Sequence, residues 1–347
     1  MSTPTIPAGN LFMNATLYSG INATLTITNG ITGQAMQPDF LWVKRRDTSG
    51  SHLLWDSVRG VTLGLNSDRA AAEQTATGGT GLASFNSNGF TLGGDFSGTG
   101  SSNTNGATYV GWQWKANGTA VSNTAGTITS QVSANTTSGF SVVTFTGTGA
   151  TGTVGHGLGV TPSFIIFKNR TAAYSWSTYF TGMTVNQYLL LNTTGSTATF
   201  SGQWNTLPTS TVFGVGSGDL GSNQSGAPIV AYCWAPIAGY SAFGSYTGNG
   251  STDGPFVYLG FRPRWVMIKR TDTTSNWYII DTSRSTYNVM INVLSPNLSD
   301  AEDTGSTYAD CLSNGFKIRT SAVSNASGGT YIYAAFAENP FKYANAR

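Results

Sequence analysis

Histidine and cysteine are each represented only twice in 347 residues. His52 and His156 stand alone, so none of the Cys/His spacings that build a zinc site is present. No Asp-x-Asp-x-Asp-Gly loop offers a calcium site. A serine or cysteine nucleophile would need a histidine with its own carboxylate partner, and two isolated histidines do not supply one. Catalytic residues, a metal and a cofactor are therefore not expected. Cys233 and Cys311 fall at non-equivalent places in the chain's internal repeats, which predicts free, buried thiols rather than a disulfide framework.

Charge is equally sparse. Charged residues make up 9% of the chain, 17 basic against 15 acidic, for a formal net charge of +2. Such a surface has no electrostatic footprint for nucleic acid or an anionic membrane. The densest basic run is Lys44-Arg45-Arg46, whose members strand alternation sends to opposite faces. No apolar run reaches the length of a membrane span. The stretch from Met1 to Pro7 lacks the basic and apolar regions of a signal peptide. Helical periodicity is nearly missing too. The segments from Asp68 to Glu73 and from Leu298 to Glu302 alone suggest single helical turns, each behind an N-cap-like residue.

What the chain does contain is repetition. Pro38-Asp39-Phe40-Leu41-Trp42-Val43-Lys44-Arg45 returns as Pro263-Arg264-Trp265-Val266-Met267-Ile268-Lys269-Arg270, and more weakly as Pro162-Ser163-Phe164-Ile165-Ile166-Phe167-Lys168. Asn88-Gly89-Phe90 returns as Asn314-Gly315-Phe316. Three aromatic phrases close the copies: Tyr109 to Trp114, Ile229 to Trp234, and Tyr331 to Phe336. The anchor prolines lie 124 and 101 residues apart, the size of a small domain and too long for a solenoid repeat. Short stretches of apolar–polar alternation bounded by Gly, Asn and Ser indicate strands. The expectation is an all-β protein of three tandem, divergent β-sandwich (jelly-roll-like) repeats. They occupy residues 1–117, 138–238 and 239–347, with residues 118–137 as a linker and the last two units rigidly paired.

Asp56 with Arg59 and Asp281 with Arg284 keep one spacing in two copies, and the middle copy has lost the pair. A glycosidase would want two carboxylates, but a repeated Asp three residues before an Arg reads better as a turn held by a charge-assisted bond. The Gly-rich stretch around His156 lacks the Gly-Lys-Ser/Thr ending of a phosphate loop and reads as a turn. Trp114, Trp234 and Phe336 hold equivalent places on the closing strands and are expected in the core. The less repetitive aromatics Tyr174, Trp176, Tyr179, Trp204 and Trp277, placed near predicted loops, are the candidate contact residues, since aromatic faces stack on sugar rings.

Several phrases resemble a domain of unknown function widespread in tailed bacteriophages, especially marine ones, and in prophages. They are Tyr246-Thr247-Gly248-Asn249-Gly250-Ser251-Thr252-Asp253-Gly254-Pro255-Phe256, then Gly260-Phe261-Arg262-Pro263, and the run from Asn325 to Phe341. Phe85 to Leu92 and Tyr109 to Gly118 look like the N-terminal part of the same proteins. The resemblance covers nearly the whole chain and carries over no catalytic residue. It implies a structural component of a bacteriophage virion, assembled in the host cytoplasm: a tail fibre or receptor-binding protein, with a capsid decoration or head-fibre protein as the alternative. A polysaccharide-degrading tailspike is the second alternative, disfavoured because no acid pair stands apart from the repeat background. The expected partners are other virion proteins, two further copies in a homotrimer, and a host-surface glycan.

Overall fold

The computed structural model describes residues 9–29, 35–96, 102–217 and 220–338; the N-terminal stretch read above for a signal peptide lies outside them. The first unit contains β1 (Met13–Ser19), β2 (Leu25–Thr28), β3 (Phe40–Arg45), β4 (Leu53–Asp56), β5 (Leu63–Gly64), β6 (Gln74–Thr75), β7 (Leu82–Asn86), β8 (Gly89–Leu92) and β9 (Thr108–Trp114). The second contains β10 (Val121–Asn123), β11 (Ser130–Asn135), β12 (Phe140–Thr146), β13 (Gly152–Gly155), β14 (Phe164–Asn169), β15 (Ser177–Phe180), β16 (Gln187–Leu190), β17 (Ala198–Thr199), β18 (Val212–Val215) and β19 (Pro228–Trp234). The third contains β20 (Ser241–Thr247), β21 (Phe256–Tyr258), β22 (Pro263–Arg270), β23 (Trp277–Asp281), β24 (Ala309–Leu312), β25 (Gly315–Ile318) and β26 (Thr330–Ala337). The protein is all-β, with no α-helix among the described residues.

One strand order recurs. The sheet β1-β9-β3-β4 has the same plan as β20-β26-β22-β23, and β12-β19-β14-β15 repeats it inside a longer sheet. A smaller sheet accompanies each: β2-β8-β7, β13-β18 and β21-β25-β24. β1 pairs with β9, β12 with β19 and β20 with β26 in the large sheets, and β2 with β8, β13 with β18 and β21 with β25 in the small ones, as in a jelly roll.

The large sheets are buried on both faces, and strand alternation shows why. Leu41 and Val43 of β3 pack with Ile27, Phe90 and Leu92 of the small sheet. Phe40 and Trp42, on the other face, join a core that takes in side chains from all three units. At its centre Trp114 lies 5.9 Å from Trp234 and 5.6 Å from Phe336, ring centre to ring centre. The closing-strand aromatics are thus core residues, and the three units form one body around them instead of separate beads.

Two local expectations are corrected. Residues 118–137 carry β10 and β11 instead of a linker, and β11 pairs along its whole length with β12. The segment has little apolar character because β10 is a sheet edge whose Val121 and Ser122 face solvent. Neither proposed helical turn forms. Asp68 accepts from the His52 backbone N–H at 3.1 Å and from Ser51 Oγ at 2.9 Å, so its side chain ties its own segment to β4 and caps no helix.

Candidate functional site

The residues singled out by repetition turn out to be joints. Asp56 Oδ1 accepts from the Arg59 backbone N–H at 2.7 Å, and its Oδ2 meets Arg59 Nε at 2.5 Å. Asp281 and Arg284 repeat both contacts at 2.9 and 2.5 Å. The turn reading holds, and the pairs also reach across units. Arg59 bonds Glu73, which in turn holds Arg170 of the second unit at 2.8 Å. Arg284 bonds Glu302, which holds Arg46 of the first unit at 2.8 Å. All four Asp and Arg side chains of the two repeated pairs are closed to solvent, so neither aspartate is open to a substrate.

The same joint occurs a third time in apolar form. At the positions of Asp56 and Arg59 the second unit has Phe180 and Met183, and Phe180 packs 6.5 Å from Phe243 of the third unit. Glu73 and Arg170 are replaced by Thr197 and Thr271. One backbone bond is common to all three joints: Glu73 N–H to Arg170 O at 2.8 Å, Thr197 N–H to Thr271 O at 2.9 Å, and Glu302 N–H to Arg46 O at 2.9 Å. The repeated lysines follow the same cycle. Lys44 donates to Asp300 O at 2.7 Å, Lys168 to Ala70 O at 2.9 Å, and Lys269 to Thr194 O at 3.1 Å. Burial pushes each of these ammonium groups down to about 8. The first unit thus grips the third, the second grips the first, and the third grips the second.

Four of the five aromatics chosen as contact residues belong to this interior. Trp176 and Trp277 are buried and donate across joints, to Asn66 O at 2.7 Å and Leu190 O at 3.1 Å. His52 occupies the equivalent place in the first unit. Its Nδ1 accepts from Trp42 at 2.8 Å, leaving Nε2–H for Ser295 O at 3.0 Å. Burial, followed by the charge of Lys44, holds this imidazole well below its ordinary pKa, so it is neutral. Trp204 is buried against Phe167 at 4.9 Å, and Tyr179 is buried within β15. Tyr174 is half-buried, and its backbone carbonyl accepts from Lys168 at 2.6 Å. These residues sit where polar, turn-rich flanks suggested loops, but the segments of Trp176 and Trp277 open onto joints between units, and Trp204 and Tyr179 pack within their own unit. His156 is likewise structural: its ring accepts from Leu158 N–H at 3.2 Å and donates to Thr209 O at 3.1 Å, closing a turn. Lys44 is buried, Arg45 pairs with Asp47 and Arg46 with Glu302, which leaves no anion site there. Both cysteines are free and buried.

Among the described residues, the most exposed aromatic rings are elsewhere. Phe256 is 45% exposed, Tyr258 62% and Tyr287 85%. All three lie in the third unit, at its small sheet. Val257 points inward between Phe256 and Tyr258, which puts both rings on the outer face. Register sets their neighbours: Phe256 stands opposite Lys317, which stands opposite Asp310, while Tyr258 stands opposite Gly315, which stands opposite Leu312. Tyr287 sits beyond the far edge, where Asn288 clamps its segment to the Cys311 backbone through bonds of 3.0 and 2.9 Å. Gly315 is bare for a reason. A Cβ there would stand 3.0 Å from the Phe256 ring and would also strike the Val257 carbonyl.

The chain belongs to the family described as a domain of unknown function, DUF7483. The family model matches residues 8–340. No curated protein and no solved structure matches the chain. Among the described residues of this DUF7483 protein, no group of three or more His, Cys, Asp or Glu could hold a metal ion. No helix among them is long and apolar enough to cross a membrane. An open cleft of about 520 Å³ lies between Ser57 and Val58 of the first unit and Gln131 and Thr144 of the second. Its lining is amide, hydroxyl and methyl, without a carboxylate or a base.

The exposed aromatic face was legible in one respect that sequence reading missed. Register aligns Ile27 with Val257, so Thr26 and Thr28 of the first unit occupy the places of Phe256 and Tyr258. In the second unit those places fall to Thr153 and Gly155. A comparison of outward strand positions between copies would have exposed the difference.

Proposed function

We propose that the protein is a structural component of a bacteriophage virion, and within the particle a tail fibre or receptor-binding protein that meets the host surface. The observation that carries the contact role is that, among the described residues, the three well-exposed aromatic side chains all lie in one unit, two on the outer face of its small sheet and Tyr287 beyond that sheet's edge. Large exposed rings in a small area mark interaction sites, whereas single scattered apolar residues do not. The phage setting is supported by the resemblance of the long phrases from Tyr246 to Pro263 and from Asn325 to Phe341. A near-neutral body with buried cross-unit ion pairs suits a rigid building block, held in the virion by other virion proteins. In this reading three chains associate around a fibre axis, so that three such faces are displayed together.

Electron microscopy of intact particles with a labelled chain is the test. Label at the tail tip in a few copies supports the reading. Label spread over the head in tens or hundreds of copies would make it a capsid decoration or head-fibre protein. Release of sugars from host polysaccharide by the purified chain would favour a tailspike. A monomeric mass by light scattering at micromolar concentration would remove the trimer.

A further inference from the structure

We infer that the outer face of the sheet β21-β25-β24 binds an uncharged oligosaccharide, with Phe256 and Tyr258 as stacking platforms. The inference names a ligand class for the contact face proposed above and rests on that reading only for its biological setting.

The scaffold itself does not require rings at these positions. The same strand carries Thr26 and Thr28 in the first unit and Thr153 and Gly155 in the second, and both fold into the same two-sheet plan. The rings of the third unit therefore answer to something outside the fold. An exposed aromatic ring on a flat sheet offers a rigid apolar plane at low entropic cost, and Tyr adds a hydroxyl at its edge. That plane matches the C–H face of a pyranose, while sugar hydroxyls need donors and acceptors alongside.

The sheet supplies them beside the rings. Lys317 Nζ lies 2.9 Å from Asp253, and Arg319 Nε lies 2.6 Å from Asp310. Two cations and two carboxylates balance, so the face carries no net field for a phosphate, a sialylated chain or nucleic acid. Ion pairs of this kind present lone pairs and N–H groups to hydroxyls without demanding a charged ligand.

Size separates a saccharide from a protein partner. From β21 across β25 and β24 to the Tyr287 edge are three strand spacings, about 14 Å, and the strands are three or four residues long, roughly 10–14 Å. A plan area of about 150–200 Å² from those spacings falls well short of the roughly 800 Å² that each partner contributes to a stable protein interface. It accommodates two or three sugar rings.

The test uses the purified full chain with neutral hexasaccharides as probes: cello-, malto-, manno- and chitohexaose, with sialyllactose as the charged control. Binding is read by saturation-transfer NMR and calorimetry. The expected result is binding of at least one neutral probe with a dissociation constant between about 10 μM and 1 mM, the range of shallow contacts. Tyr258→Ala and Phe256→Ala should each weaken it tenfold or more with an unchanged melting temperature. Thr28→Ala, at the equivalent place in the first unit, should leave it unaltered. No binding of any neutral probe at millimolar concentration overturns the inference. So does binding that both variants retain, a preference for sialyllactose, or a wild-type dimer that Tyr258→Ala dissolves. Saccharide binding by a chain that is absent from particles would sink the virion reading and leave this one standing. A chain found on the tail that binds no probe would do the reverse.

Discussion

The Tyr232 hydroxyl, on the last strand of the second unit, donates to Asp56 Oδ2 of the first at 2.8 Å. Trp112 of the first unit does the same for Asp281 of the third at 2.9 Å. Each buried aspartate therefore answers both to its own arginine and to the neighbouring unit. In the remaining joint, Phe180 stands in the aspartate's place and Ala334 in that of the aromatic donor.

Removing one charge from such a joint should cost far more than removing both. Arg59→Met leaves Asp56 inside the protein without its countercharge, while Glu73 keeps Arg170, and breaking a buried pair this way costs about 3–5 kcal/mol. The double variant Asp56→Phe with Arg59→Met copies the apolar joint and should lose clearly less than the sum of its single changes, with a coupling of at least about 1 kcal/mol. Urea denaturation of the four proteins of the cycle gives the answer. Additive losses would mean that the two side chains do not act as a pair.

A shared core predicts shared melting. Trp114, Trp234, Trp265 and Phe336 touch across unit boundaries, so no unit can leave without uncovering the others. Scanning calorimetry should show one transition whose calorimetric and van't Hoff enthalpies agree. Two or three resolved transitions would show that the units separate independently.

Acid should open two joints before the third. Burial alone would raise the carboxyl of Asp281, but the charge and hydrogen bonds of Arg284 outweigh it and hold the group below its ordinary value. At Glu73 burial is likewise outweighed, by the hydrogen bond of Arg170 and the charge of Arg59. With the folded values depressed, the unfolded chain takes up protons first as pH falls. The stabilisation present at neutral pH is then lost progressively below about pH 4. The Phe180–Met183 joint has no such group. In hydrogen exchange across this range, the amides of Glu73 and Glu302 should lose protection before that of Thr197. Simultaneous loss at all three would refute the assignment.

The buried tryptophans should matter for stability and not for adhesion. Trp176→Ala empties a fully buried site and leaves the Asn66 carbonyl without its donor, which should cost about 3–5 kcal/mol. Trp176→Phe keeps most of the volume and should cost less. Both variants, measured below their melting points, should bind any saccharide ligand as the wild type does. Weakened binding by folded Trp176→Phe would return this residue to the contact surface.

Strand alternation, the closing aromatics and the all-β character could be read directly, because each depends on local pattern and burial. The position of Trp176 and Trp277 could not. Their flanks are rich in Ser, Thr and Asn, the signature of loops, and only the third dimension shows that those loops abut another unit. A signal was present in Phe40-Leu41-Trp42-Val43, an unbroken apolar run of the kind expected when a strand is covered on both faces. It implies that each large sheet needs a second cover beyond its own small sheet. Residues 118–137 misled in the opposite direction, since an edge strand can pair its backbone while offering little apolar surface.

Covalent linkage of the three units has a consequence for variation. In an assembly of identical chains, any substitution appears at every symmetry-related place at once. A change that suits one place must be tolerated at the others. Here each place mutates alone. One joint has Phe180 and Met183 where the other two have an ion pair, and one sheet has Phe256 and Tyr258 where its counterparts have Thr or Gly. Specialisation of a single face, with its neighbours free to serve as scaffold, is open to this chain in a way that it is not to a symmetric trimer of single units.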